Sequence, residues 1–325
     1  MLMQGGGAIM NKKIIGLIVL VGALTICLVL VLNRGGTPKV VHISSVKDGD
    51  TVEAKLSNGD TIDIRYASIN APGRSQTLGK TAWGFHEKLI QKAGNLVVDL
   101  KPVDKDESGK DSYGRLLAHV FLNEERTAGN NIGVRLVSEG YARLDVRKPC
   151  DEDIASGKDF DVLYVEELIA AQIEAAMNRQ GWWGEDDKYA ESDVIIAAIK
   201  QWSSDEIVYI INRGNEPINL ANGWNLVDKK HEEDQPKHEL VFSVFCSEGC
   251  VLPPGGLLRV HSGSAVNGVN GKKEELEYRT ESEIDLYWWR SPVWNQDGDI
   301  GILYGPDSEE EVYSYMYPLT AGYWK

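Results

Sequence analysis

Residues 46–73 decide the fold of the first half of this chain. They begin with Val46-Lys47-Asp48-Gly49-Asp50-Thr51-Val52 and end with Asp63-Ile64-Arg65-Tyr66-Ala67-Ser68-Ile69-Asn70-Ala71-Pro72-Gly73. The Asp-Gly-Asp piece is a turn signal, and apolar and polar residues alternate on either side of it, as in half-buried β-strands. Further along, Ser112-Tyr113-Gly114-Arg115 adds a second arginine after a glycine. The pattern predicts strands that carry aspartates and arginines at their ends.

The residues around this stretch predict a small barrel. Short alternating runs indicate five strands, and Ser57-Asn58-Gly59-Asp60 indicates a hairpin turn between the second and the third. Helical spacing indicates three helices. A five-stranded barrel with inserted helices is the OB type. The predicted strands are Val40–Val46, Thr51–Leu56, Thr61–Ile69, Leu96–Leu100 and Arg115–Leu122, and the predicted helices are Thr81–Lys92, Asn131–Glu139 and Phe160–Arg179.

The last third of the chain has a different pattern. It shows no helical periodicity and is rich in Gly, Pro, Trp and Tyr, and many short strands separated by turn signals are typical of a β-sandwich. The fold class is therefore mainly β with α, in two domains. The predicted strands here are Val194–Gln201, Glu206–Asn212, Trp224–Val227, Leu240–Phe245, Leu257–Val260, Ile300–Leu303 and Val312–Tyr317.

Residues 14–32 form an uncharged apolar run that predicts a single transmembrane helix. Its 19 residues span about 28 Å as a helix, close to the hydrocarbon thickness of a bilayer. Lys12 and Lys13 precede it, which favours a cytoplasmic N-terminus and both domains outside the cytoplasm. A cleaved signal peptide and a lipoprotein cysteine at Cys27 are the alternatives. The predicted order is tail 1–13, anchor 14–32, linker 33–39, first domain 40–186, joint 187–191 and second domain 192–325.

Charge and cysteine content limit the function classes. The chain has 34 Lys and Arg against 49 Asp and Glu, a net charge of −15, which argues against binding a polyanion by bulk charge. Residues 41–150 are nearly balanced, with 16 Lys and Arg against 15 Asp and Glu, whereas residues 191–325 carry 11 against 23, so the first half of the chain can still accept a phosphate chain. No Cys or His spacing is typical of a zinc site. Cys246 and Cys250 are either a small disulfide loop or two reduced thiols.

The Asp-Gly-Asp-Thr turn, the arginine late in the next strand and the later Tyr-Gly-Arg together resemble the staphylococcal nuclease (thermonuclease) family. The resemblance implies an OB-fold domain that hydrolyses DNA or RNA phosphodiester bonds with calcium. It places Asp50, Asn70 and the Ala71 carbonyl around the calcium ion. A turn that merely connects two strands is the plainer interpretation of the same aspartates.

The same resemblance assigns the substrate side of the site. It makes Arg65 and Arg115 the catalytic arginines, which hold phosphate oxygens through their guanidinium forks and stabilise the transition state. Tyr113 and Asp48 are the predicted substrate-binding residues. The plainer interpretation pairs Arg65 with Asp63 or Asp48 as a solvated ion pair. A second basic cluster, Arg143, Arg147 and Lys148, is a candidate phosphate contact.

One loop departs from the family pattern. The family has acid-Thr-Pro-Glu where this chain has Asn70-Ala71-Pro72-Gly73, so a metal-binding carboxylate and the general-base glutamate are both replaced. Losing a carboxylate ligand weakens calcium binding, and losing a general base slows hydrolysis by roughly 10²- to 10⁴-fold. The sequence thus predicts a weak or altered nuclease, with a catalytically inactive nucleic-acid or protein-binding module as the alternative.

Several pieces of the last third resemble the lamin-tail domain, an immunoglobulin-like sandwich. They are Glu206–Asn212, Pro217-Ile218-Asn219-Leu220, Gly223-Trp224, Leu252-Pro253-Pro254-Gly255-Gly256 and Val293-Trp294-Asn295-Gln296-Asp297-Gly298-Asp299. The tryptophans Trp288, Trp289 and Trp294 are predicted core residues, or a carbohydrate or protein contact if two of the three are exposed. A further hypothesis makes the sandwich the working part, as a surface adhesion or assembly module, with the barrel as a spacer.

Overall fold

The computed structural model describes ten stretches of the chain. They are residues 40–93, 96–101, 109–146, 163–184, 189–229, 238–246, 250–268, 276–295, 298–306 and 311–317. Within these stretches no helix combines the length and the apolar character that a membrane crossing needs. The predicted anchor at 14–32 lies outside the described residues.

A five-stranded sheet forms the body of the first domain. Its order is β1-β2-β3-β6-β5, in which β3 and β6 are parallel and the other neighbours antiparallel. Among the described pairings none joins β5 back to β1, so the sheet is a half-barrel, consistent with the OB type. The strands are β1 (Val40–Val46), β2 (Thr51–Leu56), β3 (Thr61–Tyr66), β5 (Val97–Leu100) and β6 (Leu116–Phe121).

The predicted strand Thr61–Ile69 is two strands. β3 ends at Tyr66, and after a turn in which Ser68 adopts a left-handed φ of 64°, β4 (Ile69–Asn70) begins. β4 leaves the main sheet and pairs with β7 (Arg143–Leu144), far along the chain. The alternation of side chains continues through the break, so the sequence pattern does not reveal it.

Three helices complete the first domain: α1 (Gly79–Lys92), α2 (Ile132–Ser138) and α3 (Val165–Met177). The Asn131 side chain accepts hydrogen bonds from the first amides of α2, as expected of an N-cap. α3 is shorter than predicted, and residues 160–162 lie outside the described part. The helices cover apolar side chains of the sheet, including Ile64, and bury them completely.

Two sheets form the second domain, as the sequence predicts for a sandwich. One has the order β15-β16-β14-β9-β8 and the other β12-β11-β17-β18, with a small β10-β13 pair beside them. The elements are β8 (Val194–Lys200), β9 (Glu206–Asn212), β10 (Ile218–Asn219), β11 (Asn225–Lys229), β12 (His238–Val241), α4 (Phe242–Phe245), β13 (Val251–Leu252), β14 (Leu257–Ser262), β15 (Leu276–Tyr278), β16 (Glu283–Trp289), β17 (Asp299–Tyr304) and β18 (Glu311–Tyr317).

In the second domain one predicted strand is wrong in part and one strand was not predicted. The predicted strand Leu240–Phe245 is the end of β12 followed by a helical turn, α4, because the chain bends to bury Phe242. The aromatic run that includes Trp288 belongs to β16, a strand not predicted, which pairs in parallel with β14.

Cys246 and Cys250 are joined by a disulfide, so of the two alternatives for this cysteine pair, a disulfide loop or two reduced thiols, the structure has the disulfide loop.

The tryptophans do not form a surface patch. Trp288 and Trp294 are buried, and of the three only Trp289 is substantially exposed, at 45%. The condition set for a carbohydrate or protein contact, two exposed tryptophans, is therefore not met. Aromatic side chains of this size contribute mainly to the sandwich core.

Candidate active site

The Asp-Gly-Asp turn joins β1 to β2 and approaches the loop after β4. The amides of Lys47 and Asp48 donate to the Thr51 carbonyl and close the turn. A Cβ on Gly49 would lie 2.6 Å from the Ala71 Cβ, so only glycine permits this approach. The close packing brings Asp50 against the loop that carries Asn70 and Ala71.

Asp50 is 4% exposed, and its carboxylate has three partners. Oδ2 accepts a hydrogen bond of 2.6 Å from the Ala71 amide and lies 2.9 Å from Nη1 of Arg65. Oδ1 accepts from the Thr51 hydroxyl at 2.9 Å. The charge is thus paired and hydrogen-bonded, as a buried carboxylate requires.

Arg65 lies opposite Thr51 in the β2–β3 ladder. Its Nη2 donates to Oδ1 of Asn70 at 3.2 Å, and its Nη1 donates to the Tyr66 carbonyl at 3.2 Å. The solvated pair with Asp63 is wrong, because Asp63 instead lies 2.7 Å from the Lys47 ammonium. Arg65 therefore joins Asp50 to Asn70 inside the domain.

Arg115 reaches the same turn from the start of β6. Gly114, with a φ of 82°, makes the bend before it. Nη1 of Arg115 donates to the Thr51 hydroxyl oxygen at 3.4 Å, and Nε of Arg115 donates to Asp111 at 2.6 Å. Its guanidinium lies 5.2 Å from the ring centre of Tyr113, which is 82% exposed. Thr51 thus links the two arginines, because its hydroxyl accepts from Arg115 and donates to Asp50, which pairs with Arg65.

The buried His86 supports the Asp-Gly-Asp turn. The Tyr66 hydroxyl lies 2.7 Å from Nε2 of His86, and Nδ1 of His86 lies 3.0 Å from the Asp48 carbonyl. Burial lowers the pKa of His86 to about 4, so the ring is neutral. Nδ1 therefore donates to the carbonyl, and Nε2 accepts from Tyr66.

His86 is a supporting residue that the sequence analysis did not single out. The signal that was available is its spacing with Ala82 and Leu89, because all three share the buried face of α1.

Asp48 lies at the edge of the site. Its Oδ1 accepts from the Asp50 amide at 3.2 Å. Burial, together with the neighbouring Asp50 charge, raises the pKa of Asp48 to about 6. This second carboxyl group beside Asp50 is thus half ionised near pH 6 and mostly ionised at pH 7.

Two of the predicted calcium ligands, Asp50 and Asn70, are engaged by Arg65 in this arrangement. Calcium prefers six to eight oxygen ligands. Here Oδ2 of Asp50 lies between the Arg65 guanidinium and the Ala71 amide, and the Asn70 oxygen accepts from Arg65. In the described ranges no three His, Cys, Asp or Glu side chains are grouped to hold a metal. The arginine takes the place that a cation would have beside Asp50.

The loop at Gly73 has room for a side chain. The Gly73 amide donates to the Gln76 side chain at 2.6 Å. A Cβ added at Gly73 would meet that side-chain oxygen at 3.2 Å, a flexible neighbour that can move. The position where the resemblance expects a glutamate is therefore sterically open to one.

Arg143 of the second basic cluster is not a surface phosphate contact. Arg143 is fully buried, with its guanidinium 4.3 Å from the Tyr315 ring centre and 4.8 Å from that of Trp183. Arg147 and Lys148 lie outside the described residues. The prediction is wrong for Arg143, because a partner from the second domain covers it.

The sheet and the linked Arg65, Asp50, Thr51 and Arg115 define a nuclease-like domain in front of a sandwich. Comparison with known families agrees. Residues 63–185 match the model of the staphylococcal nuclease homologue family, and residues 187–318 match that of the lamin tail domain. The chain is therefore a staphylococcal nuclease homologue domain followed by a lamin tail domain, which confirms both resemblances.

Several curated proteins are similar to part of this chain. An uncharacterized endonuclease of Haemophilus influenzae is 31% identical over 134 residues, covering 41% of this chain and 64% of that protein. The thermonuclease of Staphylococcus hyicus is 26% identical over 189 residues, covering 54% of this chain and 99% of the relative. The thermonuclease of Staphylococcus intermedius is 28% identical over 159 residues, 44% of this chain and 87% of the relative.

Proposed function

We propose that the first domain binds nucleic acid, DNA or RNA, through a backbone phosphate and hydrolyses the phosphodiester bond slowly. The observation that carries the proposal is the continuous set of contacts from Arg65 through Asp50 and Thr51 to Arg115. These groups come from the β1–β2 turn, the start of β2, β3 and the residue before β6, so separate segments of the chain bring them together. The nuclease names of the relatives support the same substrate class.

The two arginines have different parts in this proposal. Arg115 and the exposed Tyr113 form the entrance, where a guanidinium fork binds phosphate oxygens and the ring stacks on a base. Arg65 is more deeply placed and is held in position by Asp50 and Asn70. A phosphate that reaches Arg65 must share it with Asp50, which limits how much positive charge the site offers.

Hydrolysis is expected to be slow because the loop provides no general base. Gly73 has no side chain, and Asn70 cannot accept a proton as a carboxylate does. General-base catalysis contributes about 10²- to 10⁴-fold to the rate of such reactions. Calcium binding would require Arg65 to leave Asp50, so we expect it to be weak and phosphate binding to persist in a chelator.

The location outside the cytoplasm is also a proposal. It is supported by the apolar run 14–32 with Lys12 and Lys13 before it, and by the disulfide between Cys246 and Cys250. Labelling of intact cells with a membrane-impermeant reagent tests it. Labelling of the domains only after lysis would contradict the proposal.

A binding assay tests the phosphate site. The full chain, purified in detergent, is titrated with a fluorescent single-stranded oligonucleotide with and without chelator. We expect Arg65→Lys, which keeps the charge but loses the fork, to bind more weakly than Arg126→Gln, whose partner Asp99 lies on β5. Equal affinity of both variants and the wild type would overturn the site.

A gain-of-function variant tests the missing base. Asn70→Asp combined with Gly73→Glu restores both carboxylates, and we expect it to cleave the oligonucleotide in calcium about 10²-fold or more faster than the wild type. The control is Gly73→Gln, which adds the bulk without the base. Equal rates of the double variant and the wild type would show that the loop is not the cause of slow hydrolysis.

A further inference from the structure

We propose that the lamin tail domain is a structural part of the phosphate site, because it holds the strand that carries Asn70 in place. Three side chains make the connection: Arg143 and Gln172 from the first domain and Tyr315 from the second. They are positioning residues and do not touch the substrate. The inference rests on the proposed function of the site, and it also makes a statement about structure that can be tested separately.

The first link is the ribbon formed by β4 and β7. Asn70 lies opposite Arg143, and Ile69 opposite Leu144. The Asp145 amide donates to the Ser68 carbonyl at 2.9 Å and extends the contact. Two strands of two residues each are too short to be stable alone. The position of Asn70 therefore depends on what holds β7.

The second link is the Arg143 side chain. Its guanidinium lies between the rings of Tyr315, at 4.3 Å, and Trp183, at 4.8 Å, and it is wholly excluded from solvent. Cation–π attraction is strongest when the charge is desolvated in this way. Tyr315 belongs to β18 of the lamin tail domain. The second domain therefore supplies one of the two aromatic contacts of the Arg143 guanidinium.

The third link is Gln172 on α3, which is fully buried. Its Oε1 accepts from the Leu144 amide of β7 at 2.7 Å. Its Nε2 donates to the Ala197 carbonyl at 2.7 Å and to the Tyr315 hydroxyl at 3.0 Å. A single amide group thus joins β7 to strands β8 and β18 of the other domain.

The chemistry explains why the second domain is required. A buried arginine or glutamine is costly unless its polar groups have partners. Removal of Tyr315 leaves Arg143 and Gln172 to rearrange. Arg143 belongs to β7, and Gln172 accepts from the Leu144 amide of β7. Displacing a binding group by about 1 Å is enough to weaken a site strongly.

Further contacts between the two domains lie around these three side chains. Ala175 and Ala176 of α3 belong to the same apolar core as Ile195 of β8. The Lys200 ammonium lies 2.6 Å from Glu166 of α3. The two domains therefore share a packed core, and deletion of the lamin tail domain is not a clean test of its role.

Two substitutions at one position separate the contributions. Tyr315→Phe removes the hydroxyl that Gln172 contacts but keeps the ring over Arg143, and Tyr315→Leu removes both. The control is Leu240→Ala, a buried residue on β12 that belongs to the opposite edge of the sandwich. All variants of the full chain are compared well below their measured melting temperatures.

Two readouts are measured on these proteins. Hydrogen exchange of peptides covering residues 66–72 and 141–146 is expected to be about tenfold faster in Tyr315→Leu and less affected in Tyr315→Phe. The oligonucleotide affinity is expected to fall by about threefold to tenfold in the same order. Leu240→Ala is expected to lower the melting temperature without changing either readout.

The outcomes are distinguishable. If the Tyr315 variants only lower the melting temperature, as Leu240→Ala does, and leave exchange at 66–72 unchanged, the inference is overturned. Faster exchange there, with affinity unchanged in a wild type that binds, also overturns it. If the wild type does not bind the oligonucleotide, the proposed function fails, while the exchange data still decide whether the lamin tail domain holds β4.

Discussion

The chain contains two Asp-Gly-Asp tripeptides, one in each domain, and their surroundings differ. At Asp48-Gly49-Asp50, an arginine from the next strand pairs with the buried Asp50. At Asp297-Gly298-Asp299, the fully buried Asp299 accepts from the amide and side chain of Asn295 and from the Ile300 amide. Among the residues that the structure describes, no Lys or Arg pairs with Asp299. Asp297 lies outside them.

The difference teaches what makes a turn into a site. Asp299 is held by neutral donors from its own turn, and burial raises its pKa, so it serves to close that turn. Asp50 is held by a cation and by a distant loop, and the cation also contacts Asn70. The tripeptide is the same, and the function depends on the residues that other strands bring to it.

The largest effect is expected for Asp50→Ala. It leaves the guanidinium of Arg65 buried without its counter-charge, which typically costs about 3–5 kcal/mol of stability. We expect a large fall in the free energy of unfolding, measured with denaturant, together with loss of oligonucleotide binding. A small stability change would show that Arg65 is not buried against Asp50 in solution.

Asp299→Ala is expected to have a smaller effect on stability and none on binding. It removes an acceptor from three neutral donors but leaves no unpaired charge. Because Asn295 and Ile300 are half-buried, water can replace the acceptor, and we expect a total loss of about 1–3 kcal/mol. The measurement is again denaturant unfolding, with oligonucleotide affinity measured on folded protein. A loss of affinity greater than the experimental error would contradict the contrast between the two tripeptides.

The pH dependence of stability is set at the first tripeptide by two groups, Asp48 and His86. The folded-state pKa of Asp48 is raised to about 6, above its value in the unfolded chain, so the folded state is favoured when Asp48 is protonated. This contribution is present below about pH 4 and is lost as the pH rises through 6. His86, with its pKa lowered to about 4, changes in the opposite sense, losing stability as the pH falls from about 6.5.

The variant Asp48→Asn isolates the aspartate contribution. We expect it to be more stable than the wild type by about 1–2 kcal/mol at pH 7, with the difference disappearing near pH 4. Unfolding curves of both proteins between pH 4 and pH 8 measure this. A difference that stays constant with pH would mean that Asp48 titrates at its ordinary value.

The smallest effect on stability is expected for Tyr113→Ala. The side chain is 82% exposed, so the free energy of unfolding should change by less than about 0.5 kcal/mol. Oligonucleotide affinity should fall, because stacking of a base on an aromatic ring is worth about 1–3 kcal/mol. Unchanged affinity would remove Tyr113 from the site and leave Arg115 as the entrance.

Much of the local structure could be predicted, and the failures have a common cause. β1, β2 and β9 have the predicted bounds, because short apolar or alternating runs bounded by turn residues are local signals. The break before β4 and the unpredicted strand β16 depend on distant partners, β7 and β14. Arg143 was assigned to the surface because its covering residue, Tyr315, is far away in the sequence.

By itself, the sequence determined the two domain families, most strand positions and the absence of a glutamate at Gly73. The tertiary structure decided that Asp50 binds Arg65, that His86 supports the turn, and that Arg143 is enclosed by both domains. The physical reason is that alternation and turn chemistry act over a few residues. Burial and charge pairing, in contrast, depend on groups that meet only when the chain is folded.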